Sequence, residues 1–114
     1  MGRIVKINEL IKQELGKIIL ETLEFGEGVM MTIMDVDTSD SMETANIWIS
    51  VFPENKTGSS LEILNKEIGE IQKALNRRTS MRFTPRISFR LDKSERYASK
   101  IDQAFKKVED SEDE

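Results

Sequence analysis

One short stretch constrains the fold more than any other. Around Phe83–Leu91 the residues alternate, with Phe83, Pro85, Ile87, Phe89 and Leu91 on one side and Arg82, Thr84, Arg86, Ser88 and Arg90 on the other. A period of two belongs to a half-buried β-strand. The proline near its start predicts an edge strand, or the first residues of one. Ala45–Phe52 alternates in the same way: Ala45, Ile47, Ile49 and Val51 share one face, and Asn46, Trp48, Ser50 and Phe52 share the other. Between these two segments Leu61, Leu64, Ile68, Ile71 and Leu75 recur at steps of three and four, which is the period of a helix. A helical crossover of that length allows the two strands to pair in parallel.

The remaining elements follow from similar patterns. Residues 4–23 repeat Ile7, Leu10, Ile11, Leu15, Ile18, Ile19 and Leu23 at helical spacing, with Lys6, Glu9, Lys12, Lys17 and Glu21 on other faces. Phe25-Gly26-Glu27-Gly28 ends this helix, because glycine tolerates the left-handed turn. Val29–Asp37 reads as a strand, and the short polar link Thr38–Thr44 predicts antiparallel pairing with Ala45–Phe52. Pro53–Ser59 reads as a loop, with Ser59 or Ser60 capping the next helix. Gly69 interrupts the helical stripe, so two helical pieces are expected to meet near it. Ser94 can cap a short last helix through Phe105, with Tyr97, Ile101 and Phe105 on one face. The expectation is an α+β chain of order α-β-β-α-α-β plus a short C-terminal helix. Helices would cover one face of a three-stranded sheet.

Composition removes whole classes of chemistry. The chain contains no cysteine and no histidine. That excludes disulfides, thiolate nucleophiles, imidazole bases and Cys/His zinc sites. Asp35-Val36-Asp37 follows apolar Ile33-Met34, as in phosphoryl-transfer hydrolases, but the chain is too short for the parallel sheet such sites need. As a calcium loop the segment fails, with Asp40 where glycine belongs and Asn46 where glutamate belongs. A polar strand end and turn is the simpler reading, and no metal or cofactor is expected. Met30, Met31 and Met34 read as core filler. Trp48 and Phe52 are expected to pack under a helix rather than to stack on bases. The longest uncharged run is Thr44–Pro53, far below the ~20 apolar residues of a spanning helix. No signal peptide is visible, and a cytoplasmic protein is expected.

Charge is strongly segregated. The net charge is −4, yet residues 71–90 hold Lys73, Arg77, Arg78, Arg82, Arg86 and Arg90 and no acid. Lys73 and Arg77 stand i, i+4 on a helix, and Arg82, Arg86 and Arg90 stand four apart on one predicted strand face. Guanidinium groups bind phosphate bidentately, and phosphate contacts dominate affinity for nucleic acid. The competing reading is a solvated face neutralised by acids from elsewhere in the fold. Residues 107–114 read as a disordered acidic tail beyond a domain spanning 1–106, since Glu109–Glu114 carry five acids and one serine. A second reading is that the tail shields the basic face until RNA displaces it.

Several motifs, spaced over about a hundred residues, add a family likeness. They are Ile7-Asn8-Glu9-Leu10-Ile11 with Glu14-Leu15, Val36 through Ser39 followed by Ala45–Val51, and Pro85-x-Ile87-x-Phe89-x-x-Asp92-x-Ser94 preceded by Arg77-Arg78 and followed by Ile101. From about Arg3 to Phe105 the chain resembles ribosome-binding factor A, a bacterial assembly factor of the small ribosomal subunit. The resemblance implies a type II KH-like fold. It also implies binding to 16S rRNA of the immature 30S subunit, a part in rRNA end processing, and growth at low temperature. Like that family, the chain lacks the Gly-x-x-Gly clamp of ordinary KH domains. The family's Ala-x-Gly helix kink falls at Glu67, Ile68 and Gly69, keeping the glycine but not the alanine, and its Ser-Pro-Asp turn falls at Ser39-Asp40-Ser41.

Together these readings predict a non-enzymatic RNA-binding factor, monomeric when free. Lys73, Arg77, Arg78, Arg82, Arg86 and Arg90, with Lys66 as a weaker candidate, would engage phosphates of structured RNA. Recognition would be of shape and backbone, since aromatic platforms are sparse. The alternatives are a general single-stranded RNA-binding KH-like module and an adaptor whose basic face meets an acidic protein.

Overall fold

The first helix, α1 (Arg3–Thr22), buries Ile7, Ile11, Leu15, Ile18 and Ile19, which lie on a single stripe. In the computed structural model, residues 2–92 are described. The C-terminal helix expected from Ser94 and the acidic tail at 107–114 lie outside the described residues. After α1 the chain turns through Gly26 at φ +109° and Gly28 at φ +76°, values that glycine adopts without a Cβ penalty. It then enters β1 (Met30–Thr38), turns, and returns as β2 (Thr44–Phe52).

A 3-10 turn at Glu54–Lys56 leads into α2 (Thr57–Lys66), α3 (Ile68–Thr79) and β3 (Arg86–Leu91). The sheet order is β1-β2-β3; β1 pairs antiparallel with β2, and β3 pairs parallel with β2, as the short link and the long crossover predict. β3 is therefore an edge strand among the described residues, in line with Pro85. Val36, Ala45, Ile47, Ile49, Val51, Ile87 and Phe89 form one core with the α1 stripe and with Leu64, Ile71 and Leu75. The α1 side chain of Asn8 ties the layers together. Its Oδ1 accepts from the Thr38 amide at 3.1 Å and from the Thr38 hydroxyl at 2.5 Å.

Of four local expectations, three are corrected and one is met. First, α2 begins at Thr57, so neither Ser59 nor Ser60 caps it; Ser60 lies one turn inside and is fully buried. Second, the expected joint of two helical pieces near Gly69 is present, and it falls at Glu67, two residues before the glycine. Glu67 takes φ −99°, ψ 7°, a bridge-region conformation that breaks the ladder, while Gly69 sits in the first turn of α3 with open space where a Cβ would go. Third, Trp48 and Phe52 lie on the sheet face opposite the described helices. Their parity is that of Asn46 and Ser50, and Phe52 is 58% exposed. Fourth, the methionine run is only partly core. Met34 is buried beside a register shift in β1, where the Ser50 hydroxyl donates to its sulfur at 3.3 Å, but Met30 is exposed.

Candidate nucleic-acid interface

The strand face of the candidate site starts at Arg86, not Arg82. The Arg86 amide donates to the Glu43 carbonyl at 2.9 Å. β2 begins at Thr44, the register partner of Arg86, so residues upstream run past the end of the sheet. Arg82 therefore stands in the loop between α3 and β3, and only Arg86 and Arg90 of the predicted row share the strand face.

Gln72 fixes that strand from its outer side. Its Oε1 accepts from the Ile87 amide at 2.9 Å, and its Nε2 donates to the Pro85 carbonyl at 3.1 Å. An edge strand otherwise leaves such groups unpaired. A helix side chain here replaces the missing fourth strand and holds Arg86 at a set distance from α3.

The open sheet face is of mixed charge. Register places Arg90 beside Trp48 and Trp48 beside Asp35; it places Ser88 beside Asn46 and Asn46 beside Asp37. Two strand spacings are about 9.6 Å, close to the Debye length of ~8 Å in physiological salt. The acids of β1 thus temper the potential of the β3 arginines, which the sequence window 71–90 alone does not reveal. Arg90 is held in place by Asn46, whose Oδ1 accepts from Nε at 2.9 Å.

The remaining cations divide between the helical side and one end of the molecule. All seven predicted cations are exposed, but their neighbours differ. Arg78 reaches back to α1, pairing Nη2 with Glu21 at 2.6 Å and Nη1 with Glu14 at 3.7 Å. Lys73 stands 3.6 Å from Glu70 on its own helix. Lys66 closes α2, away from the sheet face. Arg77 lies in the last turn of α3, where a cation also complements the helix dipole. Arg77 stands in the last turn of α3, Arg82 in the loop and Arg86 at the start of β3, and among the described residues none of the three forms an ion pair with a carboxylate.

This end also carries residues that sequence reasoning missed. A cleft of about 860 Å³ lies between the first turn of α1 and the loop before β3. Arg3 and Lys6 from α1, Met42 and Glu43 from the hairpin turn, and Arg82 and Phe83 from the loop line it. Phe83 is 75% exposed, and the Arg82 guanidinium carbon lies 5.6 Å from its ring centre. No local pattern joins position 3 to position 82, so nothing short of the fold could have found the cluster.

Helices packed on one face of an α-β-β-α-α-β sheet define a KH-like α+β fold, and solved neighbours share it. The crystal structure of ribosome-binding factor A from Thermus thermophilus superposes with a TM-score of 0.66 at 24% identity, covering 80% of this chain and 97% of that one. A homology model of Thermus thermophilus ribosome binding factor A, as fitted into the cryo-EM map of a 30S complex, superposes with a TM-score of 0.62 at 24% identity, over 73% of this chain and 88% of that one. The sequence profile of ribosome-binding factor A matches residues 3–105, and the chain belongs to that family. A relative from Akkermansia muciniphila is 38% identical over 78% of this chain and 70% of its own length. Another, from Halothermothrix orenii, is 30% identical over 95% and 89%.

Proposed function

We propose that this protein binds the immature small ribosomal subunit through 16S rRNA and assists maturation of the rRNA ends without catalysing a reaction. The observation that carries this reading is that Arg77, Arg82 and Arg86 are exposed and without carboxylate partners among the described residues, in a chain of the ribosome-binding factor A family. The relative fitted into a 30S map supports the same partner.

In this reading phosphates are engaged by Arg77, Arg82, Arg86 and Arg90, with Lys73 at the margin and Lys66 more distant. Arg78 acts chiefly within the fold, because two carboxylates already occupy its guanidinium. The break at Glu67-Ile68-Gly69 stands where the family kinks its helix, and it sets the angle at which α3 presents Lys73 and Arg77. A protein acting on ribosomes works in the cytoplasm, as a monomer before it docks. The domain would comprise residues 1–106, and the acidic segment 107–114 would add repulsion toward RNA rather than contacts.

Salt dependence tests the proposal. With about five phosphates neutralised, log K for small subunits falls against log salt with a slope of roughly −3.5 to −4.5. Titrations by cosedimentation at several salt concentrations measure it. An affinity that ignores salt contradicts phosphate recognition and favours a protein-only contact.

A further inference from the structure

We propose that the cleft between α1 and the loop before β3 is a subsite for one unpaired RNA nucleotide, whose base stacks on Phe83 and whose phosphates meet Arg3, Lys6 and Arg82. This deepens the ribosomal reading by adding a base contact to an interface otherwise built on backbone.

Three observations converge on that occupant. The cleft is of ordinary ligand size, at about 860 Å³, and its lining pairs apolar side chains with three cations against one carboxylate, Glu43. A purely apolar ligand leaves the cations without a role, and an inorganic anion leaves the ring without one. A nucleotide uses both, since every base offers a π-face and every linkage a negative charge.

Among the described residues Phe83 also has no packing role that would explain it. The ring is 75% exposed and is not among the residues packed on the core. Its phase in the alternating pattern predicts an inward side chain, but β3 starts three residues later, so the ring is released into the loop. The Arg82 guanidinium lies over the ring, 5.6 Å from its centre, and so backs one face while a base stacks on the other. Arg86 adjoins the cleft, since its amide donates to the carbonyl of Glu43, one of the lining residues, so one strand can pass from Arg86 onto the ring.

The test uses the full chain, labelled with nitrogen-15, titrated with hexauridylate RNA and with an abasic hexamer of equal phosphate number. Hexauridylate is expected to shift the backbone signals of Met42, Arg82 and Phe83 and to bind about fivefold or more tighter than the abasic strand. Phe83→Ala should remove that preference while leaving abasic binding unchanged, and Phe83→Trp should retain it. Because Phe83 is exposed, neither variant threatens the fold. Equal affinity for the two oligomers, signals shifting elsewhere, no hexauridylate binding up to millimolar concentration, or a Phe83→Ala loss equal for both strands would each overturn the subsite. Cosedimentation of the unaltered protein with small subunits judges the ribosomal reading separately. A protein that binds hexauridylate through Phe83 but ignores subunits keeps the subsite and loses the ribosome.

Discussion

Replacing Gln72 by alanine removes the clamp that holds the outer edge of β3. Three hydrogen bonds disappear: one from the Ile87 amide, one to the Pro85 carbonyl, and an exposed one to Asn76 Oδ1 that contributes little. Each of the first two contributes about 0.5–1.5 kcal/mol net, and a buried amide left without a partner costs about 1–3 kcal/mol. The Ile87 amide is part-buried beneath the glutamine, so water restores the lost bond only in part. Alanine returns a few tenths of a kcal/mol, roughly, through better helix propensity. The balance is a loss of about 2 kcal/mol, or a fall in Tm of about 8–16 °C for a domain of this size. Calorimetry measures the loss, and hydrogen exchange locates it: the Ile87 amide should exchange faster in Gln72→Ala. Gln72→Glu should fall between the two proteins, since it keeps the acceptor for Ile87 but turns a second oxygen toward the Pro85 carbonyl. A Gln72→Ala protein within about 0.5 kcal/mol of the original, with Ile87 exchange unchanged, refutes the claim that this side chain sets the edge strand.

Other side chains give sharper contrasts. Asn8→Ala should cost about 1–3 kcal/mol in urea unfolding, because Thr38 is buried and loses the acceptor for both its amide and its hydroxyl; Asn8→Asp, which keeps that oxygen, should cost less. Ser60→Ala should leave stability unchanged or raise it by up to about 1 kcal/mol, since the Ser60 hydroxyl is buried with no partner among the described residues. Arg78→Ala should lower stability by about 0.5–1 kcal/mol, a modest figure because Glu21 is largely solvated, and should change affinity for small subunits less than twofold.

The sequence made some parts of this fold plain and hid others for reasons that can be named. The parity of Ala45, Ile47, Ile49 and Val51 sets which sheet face is buried, and the α1 stripe sets the helix that covers it; both are local periodicities. Strand direction was legible because the lengths of the two connections differ so much. The start of β3 was not, because the alternation extends upstream to Phe83 while its partner β2 begins only at Thr44, opposite Arg86. The joint between α2 and α3 is legible to within two residues: it lies at Glu67, which has no turn signature of its own, and Gly69 two positions on marks its neighbourhood.

The candidate site divides along the same line. The exposure of its cations could be read from the run of basic residues. Which of them are free of partners could not. Glu14 and Glu21, which hold Arg78, lie more than fifty residues away in the chain, and Asp35 and Asp37 come within two strand spacings of the β3 arginines only because β2 pairs with both neighbours. Arg3 and Lys6 join Arg82 in the same manner, through tertiary contact that leaves no mark on local spacing.

The most direct test of the account is cosedimentation of the protein with immature small subunits, before and after Arg82, Arg86 and Arg90 are changed to glutamate. Lys66→Glu with Lys73→Glu serves as the comparison on the helical side. The triple reversal should abolish pelleting at physiological salt while circular dichroism stays unchanged, and the lysine pair should weaken it far less. Undiminished pelleting of the triple variant would contradict an arginine-borne contact with rRNA.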